Sequence, residues 1–197
     1  MGQYDDLNLG FSGERVALVP GKYGNGNEPG LEIVNYNGAR ETKDPELTQH
    51  SFLVVSNDGT AGTAFLTIPI KEKWLNTDYL GLVFKAPYGT EEGRKQVEAA
   101  AYKDAVDKAM ERGTPPDQLE LATKTLYDNS LLQAKVSIGT LFRLQDWAGV
   151  ERSTDFQPEK LVGIEFGGEV ELAERPSKDG TINSNVKSVF SKRKKKA

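Results

Sequence analysis

The spacing of apolar residues changes along the chain, from a period of two in the first half to a helical period in the middle. Residues 51–56 (SFLVVS) and 63–70 (TAFLTIPI) alternate and flank Asn57-Asp58-Gly59, a sequence that readily adopts the positive φ angles of a hairpin turn. They predict an antiparallel hairpin. Its first strand would present Phe52 and Val54 on one face and Leu53 and Val55 on the other.

Further strands are predicted on both sides of this hairpin. The apolar runs that indicate them cover residues 15–19, 31–36, 80–85, 161–172 and 182–190. Asn37-Gly38 is typical of a turn after the second run, and Lys178-Asp179-Gly180 is typical of a turn between the last two. Pro69 lacks an amide donor, so its strand should end there or lie at a sheet edge.

Between residues 90 and 133 the period predicts two helices joined by a tight turn. Thr90 can cap the first helix, whose apolar positions recur at helical spacing up to Gly113. Thr114 can cap the second, because prolines follow it at the first helical positions. A third helix is expected over residues 138–147. The pair over about 90–133 therefore reads as a helical hairpin inserted among strands.

Composition is compatible with one folded domain. The chain has 197 residues, of which 37% are apolar before its 20 glycines are counted, and it contains no cysteine. No apolar run reaches the length of a membrane span, and MGQYDDLNLG lacks the basic and apolar regions of a secretory signal. We expect a single domain over residues 1–191, no membrane association and a cytoplasmic location.

Charge is unevenly distributed. The chain has 25 basic and 29 acidic residues, but five of the cations lie in the final KRKKKA. They are Lys192, Arg193, Lys194, Lys195 and Lys196. The rest of the chain is acidic and repels polyanions at long range, so binding of nucleic acid would need a local basic patch or this tail. Residues 192–197 are predicted to be a disordered tail.

Catalytic motifs are nearly absent. The one histidine, His50, has no paired-histidine spacing and is expected to be solvated or structural. No nucleophile elbow, phosphate-binding loop or dinucleotide fingerprint is present. The sequence therefore predicts neither an enzyme nor a metal or cofactor site, although a carboxylate-metal enzyme remains an open alternative.

Aromatic residues and cations alternate in the segment KEKWLNTDYLGLVFKAPY. Single-stranded nucleic acids bind to such sets because bases stack on aromatic rings while cations contact the phosphates. The candidate binding residues here are Lys71, Lys73, Trp74, Tyr79, Lys85 and Tyr88. The alternative is that these rings belong to the hydrophobic core and that the lysines are their solvated neighbours.

The C-terminal third resembles a family of small phage-encoded proteins regarded as single-stranded DNA-binding. The resemblance rests on the helix end LFRLQDWAGV, on Leu161-Val162-Gly163 before a strand, and on the closing Asn185-Val186-Lys187. PGKY at residues 20–23 is similar to the first-strand region of that family. The resemblance implies an OB-like barrel, which would here carry the helical pair as an insertion.

Taken together, these patterns predict an α+β fold. It would be an antiparallel OB-like barrel or curled sheet with an inserted helical hairpin. The expected function is sequence-tolerant binding of single-stranded DNA in phage replication or recombination, by base stacking and phosphate neutralisation. Replication or recombination proteins are possible further partners, and an oligomer is possible. The alternative function is a structural or assembly protein of a virion or host complex, with a basic docking tail.

Overall fold

The computed structural model describes residues 16–85, 87–176 and 181–193, and within them the fold is α+β. Three helices accompany one curled sheet of seven strands. The helices are α1 (Thr77–Phe84), α2 (Glu91–Glu111) and α3 (Leu119–Ala148). The strands are β1 (Gly21–Tyr23), β2 (Leu31–Glu41), β3 (Thr48–Ser56), β4 (Thr63–Ile70), β5 (Glu165–Phe166), β6 (Gly168–Leu172) and β7 (Ser184–Val189).

The sheet is mixed, whereas the sequence predicted an antiparallel one. Its strand order is β1-β6-β7-β4-β3-β2-β5, and β4 pairs with β7 in parallel while every other pairing is antiparallel. The parallel pair arises because all three helices lie between β4 and β5 and return the chain to the other side of β4. Only Gly167 separates β5 from β6, so the two ends of the sheet approach each other as it curls into a half-barrel.

The predicted hairpin is confirmed as β3 and β4. Their register runs from Thr48 opposite Ile70 to Val55 opposite Thr63. Gly59 in the connecting turn has a φ of +83°, which glycine adopts without steric cost. Phe52 and Val54 are fully buried on the inner face, while Leu53 and Val55 are half-buried on the other face, as the alternation predicted.

Asn37-Gly38 does not form the predicted turn. These residues lie inside β2, at a register shift between Tyr36 and Ala39 in the pairing with β3. Gly38 has a φ of +98°, which suits the extra residue of a β-bulge. The positive φ that the predicted turn would have needed is used in a β-bulge instead, and β2 continues to Glu41.

Three other predicted strands are wrong or shortened. The apolar run at 80–85 belongs to helix α1, because the side chain of Asn76 accepts hydrogen bonds from the amides of Asp78 and Tyr79 and caps a helix there. The run at 161–172 is a strand only from Glu165, since residues 158–161 form a 3₁₀ turn. In the predicted strand at 15–19, the described residues form only an isolated bridge at Ala17.

The helical insertion is longer than predicted. Helix α2 begins at the predicted cap, where the hydroxyl of Thr90 accepts from the amide of Gly93 at 3.0 Å. The predicted second and third helices, however, are one helix of 30 residues, so the insertion runs to Ala148 rather than to about residue 133. Thr114 does not cap it, because α3 begins after Gln118, and that residue makes no side-chain cap.

The core lies between the inner face of the half-barrel and one side of α3. Ile138, Leu141 and Leu144 of that helix are at most 1% exposed and join the buried residues of the strands in one cluster. Helix α2 packs on α3 through Ala105 and Ala109, and many of its other side chains are exposed. The outer face of β2, β3 and β4 is turned away from this core.

Candidate functional site

The aromatic rings proposed for stacking from the segment after β4 are in the core. Trp74 lies in a 3₁₀ turn over Glu72–Leu75 and is 0% exposed, and Tyr79 in α1 is 3% exposed. Neither ring can stack on a base without leaving the core. The alternative that the sequence left open, in which these rings are core residues, describes Trp74 and Tyr79.

Lys71 and Lys73 are held in a network of ion pairs. The Lys71 ammonium group, on a side chain that is 5% exposed, lies 2.6 Å from Asp44 Oδ2 and 3.3 Å from Glu46 Oε2. Lys73 Nζ lies 2.9 Å from Glu46 Oε2 and 2.6 Å from Asp104 Oδ2 on α2. These lysines therefore neutralise carboxylates of the protein, and they bind the loop between β2 and β3 to the helical insertion.

The network also perturbs the carboxyl groups of the β2–β3 loop. Burial is the largest influence on the pKa of Asp44 and acts to raise it, but the hydrogen bonds from Lys71 and from the Glu46 amide, together with the charges of Lys71 and Lys108, outweigh burial and hold that pKa below its ordinary value. The hydrogen bond from Lys73 lowers the pKa of Glu46. Both acids are thus stabilised in the charged form, and the loop is held in place while its own Lys43 stays exposed.

Lys85 and Tyr88 lie apart from that network. Lys85 ends α1 with a φ of +66° and has an exposed side chain. Tyr88 is half-buried and stacks on Phe142 of α3, with ring centroids 5.9 Å apart and planes 19° apart. The Tyr88 ring is already used in packing. Of the six predicted residues in this segment, only Lys85 is exposed.

The first two cations of the basic C-terminus pack on the folded body. Lys192 Nζ donates to the carbonyl of Trp147 at the end of α3, at 3.1 Å, and lies 5.5 Å from the centre of that indole ring. The amide of Arg193 donates to the carbonyl of Gly26 at 2.6 Å. Lys194, Lys195 and Lys196 lie outside the described residues, so the predicted tail can be assessed only up to Arg193.

An outer-face row on the sheet, which the sequence analysis did not single out, is the strongest candidate surface. Asn35, Leu53, Phe65 and Asn185 are direct neighbours across β2, β3, β4 and β7. Their strand neighbours Phe52, Ala64 and Leu66 are buried, so this row stands on the opposite, outer face. The half-buried ring of Phe65 is thus placed on the outer face between Leu53 and Asn185.

Two further rows extend this outer face toward the end of β4. Ser51 lies opposite Thr67, and Gln49 lies between Arg40 and Pro69. Arg40 is exposed, as is Lys43 in the adjoining loop. The alternation in TAFLTIPI places Phe65 on the strand face opposite to Ala64 and Leu66, and this alternation was the sequence signal for its position. It carried no information on which face the core would cover.

Carboxylates also lie on the outer face, since Glu32 of β2 is opposite Val55, and others lie on β6. Glu169 and Glu171 of β6 lie opposite Ser188 and Asn185 of β7, and Lys187 Nζ is 3.4 Å from Glu171 Oε2. That ion pair is a contact between neighbouring strands of the sheet. Because β7 and β4 pair only through Ala64 and Phe65, the acidic strand approaches one end of the outer face and leaves the rows of Thr67 and Pro69 away from it.

His50 has a structural role in the described residues. Its Nδ1 is 2.9 Å from the hydroxyl of Tyr36, and the ring of Phe156 packs edge-on against it at 4.7 Å. Burial lowers the pKa of His50, and Glu159 offsets this only in part. The imidazole is therefore neutral near pH 7 and helps to close the inner side of the half-barrel.

Comparisons with protein-family models, with curated proteins and with solved structures find no match to this chain. Within residues 16–85, 87–176 and 181–193, no group of three or more acidic or histidine side chains is placed to hold a metal ion. None of the helices in those ranges combines the length and apolarity needed to cross a membrane.

Proposed function

We propose that the half-barrel is an OB-like barrel and that its outer face binds single-stranded DNA with little sequence preference. The connectivity supports the barrel. The strands β2, β3 and β4 form a meander, β7 returns parallel to β4, and the stretch of β5 and β6 pairs with both β7 and β2. With β5 and β6 counted as one strand and the short β1 as an addition, that order matches a five-stranded, partly open barrel with its helices inserted before the fourth strand.

In OB folds, oligonucleotides bind across the second and third strands and the loops beside them. The equivalent surface here is the outer face of β3 and β4, with the β2–β3 loop at its edge. The observation that carries the proposal is Phe65, a half-buried aromatic ring centred on that surface between Leu53 and Asn185. A base can stack on this ring, while polar neighbours tolerate any sequence.

Exposed cations lie at one end of the same surface. The exposed cations Arg40 and Lys43 lie at the end of the outer face away from the acidic β6, and both lack a salt bridge in the described ranges. They are free to contact phosphates, whereas Lys71 and Lys73 are already paired. The cations at 194–196 would add attraction that does not depend on sequence. The setting in phage replication or recombination rests on the resemblance of the C-terminal third.

A titration of the full chain with a fluorescently labelled single strand, at two salt concentrations, tests this proposal. Phe65→Leu keeps an apolar side chain but removes the aromatic face, so it should weaken binding by about 1–3 kcal/mol with little change in salt dependence. Arg40→Gln should reduce the slope of log affinity against log salt by about 0.7. Phe156→Leu is the matched control, because it removes an aromatic ring that packs on His50 away from the outer face.

If the wild type binds the single strand and both Phe65→Leu and Phe156→Leu bind it equally strongly, the strand binds elsewhere on the molecule. No salt-sensitive binding by the wild type would refute the function. That second result would favour the alternative of a structural or assembly protein, which co-sedimentation with capsids would then test.

A further inference from the structure

A groove runs between the end of β4 and the middle of α3. Its volume is about 280 Å³. The two walls are Thr67, Ile68 and Pro69 from the strand, and Asn129, Leu132, Gln133, Val136, Ser137 and Thr140 from the helix. The groove exists because β7 pairs with β4 only at Ala64 and Phe65, which leaves the rest of that strand edge to the helix. Pro69 suits this position, since it has no amide to donate there.

The groove contains a buried hydroxyl group that lacks a partner. Ser137 is 2% exposed, and its Oγ has no hydrogen-bond partner among the described residues. A buried polar group without a partner is costly in a native structure, and a bound ligand is one way to satisfy it. The lips of the groove are apolar, because Leu132 is 59% exposed and Val136 is 57% exposed. An apolar slot with a hydroxyl inside it suits a flat heterocycle that has polar edges.

A cation without a carboxylate partner lies at one end of the groove. Arg143 lies one helical turn after Gly139 on α3, and its Nη2 is 3.4 Å from the hydroxyl of Thr140 in the groove wall. Its Nε is buried and has no hydrogen-bond partner, and no described carboxylate lies within salt-bridge distance. Burial lowers the pKa of Arg143, which still leaves it a cation at neutral pH. A half-buried guanidinium without an anion is suited to a phosphate.

The groove is continuous with the outer face of the sheet. Thr67 and Pro69 lie on the same side of β4 as Phe65, two and four residues further along the strand. At about 3.3 Å per residue, the path from Phe65 to Pro69 is roughly 13 Å. A strand that stacks on Phe65 can therefore follow the same face of β4 into the groove.

We propose that this groove seats one nucleotide of the bound single strand, with the base between Pro69 and Val136 and a phosphate on Arg143. The inference rests on the proposed function and assigns it a second contact region, at the junction of the sheet and the helical insertion. Ser137 donates to or accepts from the edge of the base. An apolar peptide is the other occupant that such a groove could hold, and it would make no use of Arg143.

Two pairs of variants test the subsite, with a labelled thymidine oligonucleotide of about 16 nucleotides as the probe. Val136→Trp fills the groove from an exposed position, and Leu121→Trp is its control, since Leu121 is 71% exposed on the same helix and outside the groove. Arg143→Gln removes the cation, and Lys135→Gln removes an exposed cation from the same helix as its control.

We expect Val136→Trp and Arg143→Gln each to weaken binding about tenfold or more, and Arg143→Gln also to reduce the salt slope by about 0.7. Both controls should bind as the wild type does. If Phe65→Leu weakens binding while Val136→Trp and Arg143→Gln leave it unchanged, the subsite is wrong and the proposed function stands. If Val136→Trp alone weakens binding, the groove holds no phosphate and the assignment to a nucleotide fails. A wild type that binds no single strand overturns both proposals.

Discussion

Replacing Trp74 distinguishes a core residue from a binding residue most clearly. The indole is 0% exposed, and Lys71 Nζ lies 5.9 Å from the ring centre. Truncation of a fully buried tryptophan to alanine removes its packing and leaves a cavity, which costs about 3–5 kcal/mol. For a domain of this size, each kcal/mol corresponds to about 2–4 °C in Tm, so Trp74→Ala should lower Tm by roughly 6–20 °C.

Urea denaturation followed by circular dichroism measures this loss, and Trp74→Phe, which keeps a ring, should lose clearly less stability. Under conditions in which Trp74→Ala remains folded, its affinity for a single strand should change much less than that of Phe65→Leu. A free energy of unfolding within about 0.5 kcal/mol of the wild type would contradict the burial of Trp74. Together with weakened binding, that result would restore the original stacking assignment.

Four further predictions follow from particular contacts. Ile138→Ala should lower the free energy of unfolding by about 2–5 kcal/mol, because this side chain of α3 is 1% exposed; a urea titration checks it. Thr114→Ala should change stability by less than about 0.5 kcal/mol, because α3 begins later and Thr114 caps nothing. The pKa values of Asp44 and Glu46 are lower in the folded protein than their ordinary values of 3.8 and 4.5. Their contribution to stability is therefore fully present above pH 3.8 and 4.5, and it is lost as the pH falls through the lowered pKa values. Urea midpoints between pH 6 and pH 3 should therefore fall less steeply in Lys71→Met, which lacks the main partner of Asp44, than in the wild type. Deleting residues 194–197 removes three cations and should reduce the salt slope of binding by up to about 2 units, while binding itself persists because Phe65 does not depend on the tail.

The sequence predicts best those elements whose signals are local. The β3–β4 hairpin combines a turn sequence with alternation of apolar residues on both sides. The cap of α2 is equally local, because Thr90 accepts a hydrogen bond from the amide of Gly93, three residues later. The prediction of a strand at residues 80–85 was wrong because a short apolar segment is compatible with a strand or a buried helix. The cap at Asn76 selects the helix. The prediction of a turn at Asn37-Gly38 was wrong because a bulge and a turn can use the same glycine conformation.

The candidate site depended on contacts between distant parts of the chain. Lys71 is paired with Asp44, which is 27 residues away in sequence, and Lys73 with Asp104, which is 31 residues away. Those pairings convert apparently free cations into structural ones, and composition carries no trace of them. Phe65 lies in a strongly apolar segment, so its position on the outer face followed only once the curl of the sheet and the position of α3 were known.

Photocrosslinking locates the bound strand most directly. A single strand that contains 5-bromodeoxyuridine is bound to the full chain and irradiated, and the crosslinked tryptic peptides are identified by mass spectrometry. The peptide of residues 44–71 contains both β3 and β4, with Leu53, Phe65 and Thr67. Binding on the outer face predicts that crosslinks concentrate in this peptide and decrease strongly in Phe65→Leu. Crosslinks confined to the peptides of α2 or to the basic C-terminus, with none in residues 44–71, would contradict it.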